Sequence, residues 1–302
     1  MRYLYKAFGL KILSDIEIPE FISTDGEPEI SISYGTVPDQ LINPHFKGVR
    51  FEASPGQFLL KVDRIADYYT SGGNSIVIKP HAGSDESDIR LFLLGSAFGA
   101  LIHQRGMLPM HGSSISIHGK AYIFSGISGA GKSTLAAGLL SRGYELLSDD
   151  ISVVSLDEEG NPIVYAGYPG VKLWSDSLIK LGRDPEHYSR VRSKLNKHHM
   201  HVQEQFHSEA LLLGGVYILQ TKNSEGIQLE KIKGIEKFNA LKNNTYRLNF
   251  IKGLGNTEPH FRHLSALAAK CEVKRITRST KTFALNEILD AVEQDINSKH
   301  GG

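Results

Sequence analysis

Residues 126–133 read Gly-Ile-Ser-Gly-Ala-Gly-Lys-Ser, the spacing G-x-x-x-x-G-K-[ST] in which a backbone loop cradles phosphate. Glycines at 126, 129 and 131 let the chain curl so tightly that its N–H groups point inward at an anion. A helix beginning near Ser133 adds the positive end of its dipole at the same point. Lys132 reaches β- and γ-phosphates as a point charge, and the Ser133 hydroxyl suits a Mg²⁺ that bridges them. The residues expected around the phosphates are Gly126, Ser128, Gly129, Ala130, Gly131, Lys132, Ser133 and Thr134. The motif requires a strand before it and a helix after it. Residues 120–125 are apolar and strand-like, and residues 134–142 read as a helix.

Asp149 and Asp150 follow one helix later, inside residues 144–155, which read as a strand. In a right-handed strand–helix–strand unit the two parallel strands bring their carboxyl ends to one edge, so the pair is expected to face the phosphates. Adjacent carboxylates in an apolar strand are costly unless they bind metal or protons. One can hold Mg²⁺, directly or through water, and the other can accept a proton from an attacking hydroxyl. The plain alternative is a solvated Asp-Asp turn. After His111-Gly-Ser-Ser114, residues 114–117 and 121–124 flank His118-Gly119-Lys120 as a β-hairpin that runs straight into the glycine loop, with His111 at the strand start. His111 therefore lies one strand from the site, as a structural residue or as part of the chemistry.

The elements that must position these residues follow from periodicity and turn chemistry. Residues 1–84 form a β-rich N-terminal domain: residues 3–10, 30–34, 58–62, 65–69 and 75–79 carry strand residues, separated by Asp25-Gly26, Pro55-Gly56 and Gly72-Gly73-Asn74. Its role is docking or purely structural. Residues 84–105 form a helix with a broad apolar face, buried between layers and stopped by Gly106. The second domain, 85–302, begins there. Lys172 follows a glycine/proline loop, as a phosphate contact or, as a lone lysine beside a loop, simply an exposed one. Residues 182–209 are polar and basic, with Arg183, Arg190, Arg192, Lys194 and Lys197 beside His198, His199, His201 and His207, and read as a solvated or acceptor-docking segment, or as a histidine metal site for which no recognised ligand spacing is present. Residues 211–219 and 228–232 read as paired strands, and Arg247 and Arg262 as loose basic candidates near helix ends.

Composition narrows the classes. The chain has 302 residues, 40% of them hydrophobic, with 34 Lys+Arg against 33 Asp+Glu and a net charge of +1. No global field points to nucleic acid or to an anionic membrane. A single cysteine, Cys271, excludes a disulfide framework and a Cys-based zinc site. No apolar run approaches membrane-spanning length, so a cytoplasmic protein with neither membrane nor nucleic-acid partner is expected.

At this point a resemblance becomes specific. His111-Gly-Ser-Ser, then a hairpin, then the glycine loop, then Arg142-Gly-Tyr-Glu-Leu-Leu-Ser-Asp149-Asp150 resembles, in order and spacing, the catalytic domain of HPr kinase/phosphorylase over residues 105–155. Residues 91–106 and 168–174 look like the related serine kinases of bacterial peptide-modifying clusters, including lasso peptide kinases. The resemblance implies an α/β fold, a P-loop kinase core of the HPr kinase/PEP carboxykinase type behind the β-rich N-terminal domain. It implies transfer of a phosphoryl group from a nucleoside triphosphate, with ATP and Mg²⁺, to a serine of a peptide or protein. In that scheme Asp149 is the base, Asp150 assists it or holds the metal with Ser133, Lys132 neutralises phosphate charge, and His111 sits beside the acceptor. Relatives of that kind are often hexamers, which leaves a homo-oligomer open. The Glu-x-Arg-Gly-Leu-Gly segment of HPr kinase has no glutamate here, where residues 166–172 read Ala-Gly-Tyr-Pro-Gly-Val-Lys. The competing readings are a small-molecule kinase, since the loop also resembles that of adenylylsulfate kinase, and a nucleotide-gated ATPase, which lacks its Leu-Ser-Gly-Gly-type signature here.

Overall fold

The computed structural model describes residues 1–192, 195–223, 226–279 and 284–299; Lys194 of the basic segment lies outside them. The fold is mixed α/β, built on two large sheets. The first has nine strands in the order Ile22–Ser23, Tyr3–Ala7, Leu10–Ser14, Ile30–Tyr34, Ser75–Pro80, Ala66–Ser71, Gln57–Val62, Phe51–Ser54 and Phe46–Lys47. Alternation sets its inner face: Ala66, Tyr68 and Thr70 are buried while Asp67, Tyr69 and Ser71 are partly exposed.

Residues 3–10, expected as one strand, form a hairpin. The chain reverses at Phe8-Gly9, both at positive φ (53° and 73°), because a two-residue turn with left-handed geometry matches strand twist. The tip is driven into the interior. Phe8 is buried against Phe98 and Tyr168, its N–H donates to the Ala166 carbonyl at 2.7 Å, and a Cβ on Gly9 would lie 2.5 Å from the Tyr165 ring.

Residues 86–104 form one continuous rod: Glu86–Phe92, a π-helical turn at Leu93–Ala97, then Phe98–Gln104. Asp85 caps its start by accepting from the Ser87 N–H at 2.7 Å. The rod buries Leu93, Ala97, Phe98, Leu101 and Ile102 against the first sheet. Its glycines face Tyr246: a Cβ on Gly99 would sit 2.9 Å from that ring.

The second sheet closes on itself. Lys120–Gly126, Leu108–Ile117, Ile151–Leu156, Pro162–Tyr165 and Leu211–Lys222 form a ring, with Leu211–Lys222 returning parallel to Lys120–Gly126. Val273–Ser279 pairs parallel to the outer side of Leu211–Lys222, and Gln228–Lys231 lies beyond it. The strand pair expected between residues 211–219 and 228–232 is therefore not formed; Val273–Ser279, which follows both in sequence, inserts between them, a long-range preference that local turn signals do not carry. Helices Lys132–Ser141 and Leu285–Asn297 pack together on this sheet, Gly138 meeting Leu289. Among the described residues no helix is long and apolar enough to cross a membrane.

His103, 2% exposed, ends the long rod and donates from Nε2 to the Tyr246 carbonyl at 2.9 Å. Burial pushes its pKa from 6.5 down to about 4. A folded pKa below the unfolded one means that the stabilisation is complete above the unfolded value and is lost as pH falls towards the folded value. Chemical denaturation should therefore show the fold about 2 kcal/mol less stable near pH 5 than near pH 7.5 through His103 alone. His103→Gln, which stays neutral, should remove that part of the pH dependence; an unchanged dependence would show that His103 does not carry it.

Candidate active site

The glycine loop leaves Lys120–Gly126 and enters the helix Lys132–Ser141. Gly126, Gly129 and Gly131 hold φ of 144°, 82° and 101°, a region closed to other L-residues at acceptable strain. Gly126 is doubly fixed, since a Cβ there would come within 2.5 Å of the Leu219 carbonyl oxygen. Lys132 is buried, and its ammonium donates to the carbonyls of Gly126 (2.9 Å) and Ile127 (3.1 Å). Burial holds its pKa below the ordinary lysine value. Thr134 is buried and donates to Ser177 Oγ at 2.9 Å.

The two acids do not sit inside one strand. Glu145–Ser148 ends before them and Ile151–Leu156 starts after them, each pairing with a different stretch of Leu108–Ile117. Leu108–Ile117 is antiparallel both to Lys120–Gly126 and to Glu145–Ser148. The latter two run in the same direction with one strand between them, so the acids still reach the loop's edge. Asp150 turns the chain at φ 71°, which Asp tolerates better than most residues.

Asp149 is 3% exposed. Its Oδ1 accepts from Ser113 Oγ at 2.6 Å and Ser133 Oγ at 2.9 Å, and its Oδ2 accepts from the Lys172 backbone N–H at 2.9 Å. Asp150 is half-buried, with Oδ1 3.6 Å from His111 Nδ1 and Oδ2 4.0 Å from Lys172 Nζ. Burial alone would raise its pKa, but Lys172, Lys197, His111 and Lys132 together hold the carboxyl below the usual range. His111 Nδ1 lies 3.1 Å from the Asp150 carbonyl. A carbonyl only accepts, so Nδ1 carries the hydrogen and Nε2 the lone pair. Burial and Lys132 push its pKa down, keeping the ring neutral.

Ser133 thus meets Asp149 rather than Asp150, the partner expected for it as a metal donor. Lys172, expected to be exposed, is 5% exposed and packed between the two acids. Burial opposes its charge, and Tyr168, Asp150, Tyr246 and Asp149 more than offset that, raising its pKa. Arg278 was invisible to local pattern. Its guanidinium donates to the Ala130 carbonyl from Nε and Nη2, both at 3.3 Å, because Val273–Ser279 lies beside Leu211–Lys222. Arg262 is exposed on the helix Thr257–Lys270, whereas Arg247 reaches the site.

Two clefts meet here. One of about 140 Å³ is lined by Lys132, Ser133, Thr134, Lys172, Trp174 and Lys197. The other, about 460 Å³, is lined by Gly126, Ile127, Asn244, Thr245, Tyr246 and Arg247. His111, Ser128 and Asp150 belong to both. The geometry offers an anion cradle, a hydroxyl–carboxylate pair and a second carboxylate on the wall between two openings.

No protein-family model matches the chain. Over 54 residues it is 41% identical to the HPr kinase/phosphorylase of Chlorobaculum tepidum. The likeness is to a kinase/phosphorylase. That segment makes up 18% of this chain and 16% of the relative, so the chain matches about a sixth of that protein's length. The solved HPr(Ser) kinase/phosphatase of Coxiella burnetii aligns with 64% of this chain and 99% of its own, at 11% identity and a TM-score of 0.33.

Trp174, half exposed in the smaller cleft, is the chain's single tryptophan. Its fluorescence should change saturably when Mg²⁺ and ATP are added. Gly126→Ala, which forces a methyl onto the Leu219 carbonyl, should abolish that response. A full response in Gly126→Ala would show that nucleotide does not enter at the loop.

Proposed function

We propose that the protein transfers the γ-phosphoryl group of ATP to a serine hydroxyl of a peptide or protein. One observation carries the reading: the phosphate loop's own Ser133 is hydrogen-bonded to Asp149 while the neighbouring Asp150 stands with His111 on the wall common to two clefts. The local identity to an HPr kinase/phosphorylase supports the same reaction class.

Among the described residues no group of three or more His, Cys, Asp or Glu side chains is arranged as a metal cage. Mg²⁺ in such sites takes one or two protein oxygens and completes its shell with phosphate and water, and Ser133 with Asp149 supplies that donor set. When bound, the ion neutralises phosphate charge. The loop N–H groups and Lys132 hold the phosphates, Lys132 exchanging its two carbonyl partners for them. The acceptor enters from the larger cleft. Its serine Oγ forms the new bond to the γ-phosphorus, the bond from that phosphorus to the β-phosphate's bridging oxygen breaks, and the hydroxyl proton passes to Asp150. His111 orients Asp150 through the backbone carbonyl. Asp149, with three donors already on its carboxylate, suits the metal side better than the base assigned to it by resemblance. The acceptor proposed is a ribosomally made precursor peptide of the lasso type, on the sequence resemblance and on the absence of the HPr-kinase glutamate segment.

Intact-mass analysis of serine-bearing peptides, a lasso precursor ending in serine among them, should show a gain of phosphate with Mg²⁺ and ATP. Lys132→Ala should reduce it by about 100-fold or more. Phosphate appearing only on metabolites, or ATP consumed with no phosphorylated acceptor, would replace this reading with a small-molecule kinase or an ATPase.

Asp150→Asn and Asp149→Asn separate the two roles. Asp150→Asn should lower the transfer rate by about 100-fold or more and leave Mg²⁺-dependent nucleotide binding close to wild type. Asp149→Asn should weaken the Mg²⁺ dependence of binding itself. The reverse pattern would restore Asp149 as the base.

A further inference from the structure

The two clefts divide the glycine loop between them. Gly126 and Ile127 line only the larger one, Ser128 lines both, and Gly129, Gly131, Lys132, Ser133 and Thr134 line only the smaller one. That division sets a direction. In a phosphate loop the lysine and the hydroxyl beside it serve the β- and γ-phosphates, and the N–H groups of the loop and helix hold the phosphates behind them. The γ-phosphoryl group belongs at the wall common to both clefts, beside Asp150 and His111, where an acceptor can meet it. The rest of the nucleotide runs away from that wall along the smaller cleft, past Thr134.

Trp174 stands on that side. Thr134 donates to Ser177 Oγ at 2.9 Å, which ties the first turn of the loop's helix to the short helix Ser175–Lys180 that begins directly after Trp174. On its other side Trp174 ends the strand Gly170–Trp174 and pairs with Lys197, and the Ser175 N–H donates to the Asn196 carbonyl at 2.9 Å. The backbone under the indole is thus held both from the loop and from the returning strand, while the residue stays 50% exposed. Lys197, its cross-strand partner, lines the same cleft. The cleft's volume of about 140 Å³ is well below the roughly 300–1,000 Å³ of sites that take in a drug-sized ligand. It has room for the phosphates and leaves ribose and base at its rim. Every base presents a π-face that stacks on an aromatic side chain, and the indole offers a large one at that rim.

We propose that Trp174 is the platform on which the nucleobase stacks, with the triphosphate lying between it and the wall at Asp150. The inference rests on the nucleotide-binding half of the function proposed above and is independent of the acceptor. It also assigns the two clefts: nucleotide to the smaller, acceptor to the larger.

The test is isothermal titration calorimetry on the full chain with Mg²⁺, using a non-hydrolysable ATP analogue and inorganic tripolyphosphate, which carries the phosphates and no base. Trp174→Ala and Trp174→Leu should each weaken the ATP analogue by about tenfold or more and leave the affinity for tripolyphosphate close to wild type. Trp174→Phe, which keeps a π-face, should retain most of the affinity for the analogue. Unchanged affinity for the analogue in Trp174→Ala would overturn the platform and leave nucleotide binding at the loop standing. So would an equal loss of both probes in Trp174→Ala and Trp174→Leu, which would make the indole a structural support of the cleft. If the wild-type chain binds neither probe up to about 5 mM, nucleotide binding at the loop falls and the platform with it.

Discussion

The carboxylate of Asp149 is the fixed point of the structure. Three donors converge on it from three segments: Ser113 from the strand Leu108–Ile117, Ser133 from the loop's helix, and the Lys172 N–H from the strand Gly170–Trp174. A buried carboxylate loses several kcal/mol of hydration, and a hydrogen bond to a charged group returns on the order of 2 kcal/mol. Three such bonds offset much of that loss, and all three form only when the three segments are in register. The position of the glycine loop relative to the acids, and of Lys172 between them, follows from this one group.

The second support comes from outside the loop's own sheet. Phe8, at the tip of the first hairpin, packs on Phe98 and Tyr168, and Tyr168 lies two residues before the strand that supplies Lys172. Tyr246 rests on the glycine face of the long rod, receives the His103 bond at its carbonyl, and brings its ring within 5.8 Å of His111. One hydrophobic core contains the first sheet, the rod, Tyr168 and Tyr246. The N-terminal sheet is thus the backing of the cleft wall.

Local features were legible and long-range ones were not. The hairpin turning at His118-Gly119, the glycine loop and the helices on either side depend on neighbours in sequence, and they stand where turn residues and apolar spacing place them. The arrival of the acids at the loop's edge was also legible. Its route was not, because the break at Asp149-Asp150 serves pairing with two stretches of one strand. The Phe8-Gly9 turn was missed because an aromatic in a left-handed turn looks like strand until its burial is seen. Lys172 and Arg278 owe their places to partners far away in sequence, and no local turn or periodicity signal shows that Lys172 is buried or that Arg278 reaches the loop.

The charges of the site explain why so strained a residue as Asp150 is retained. A left-handed φ on a non-glycine residue costs on the order of 1–3 kcal/mol. A glycine at position 150 would relieve that strain and would leave Lys172 buried without the carboxylate 4.0 Å away, a larger penalty. With Asp150 present, Lys132, Lys172, Lys197 and His111 keep the carboxylate ionised, and it in turn supports charge on the two buried lysines. Lys132 meanwhile rests on two neutral carbonyls. Exchange of those partners for a phosphate oxygen replaces neutral acceptors with a charged one, which binds an ammonium about twice as strongly. The site is therefore arranged so that arrival of an anion at the loop draws on Lys132, while the positive charge needed to keep Asp150 ionised remains on Lys172 behind it.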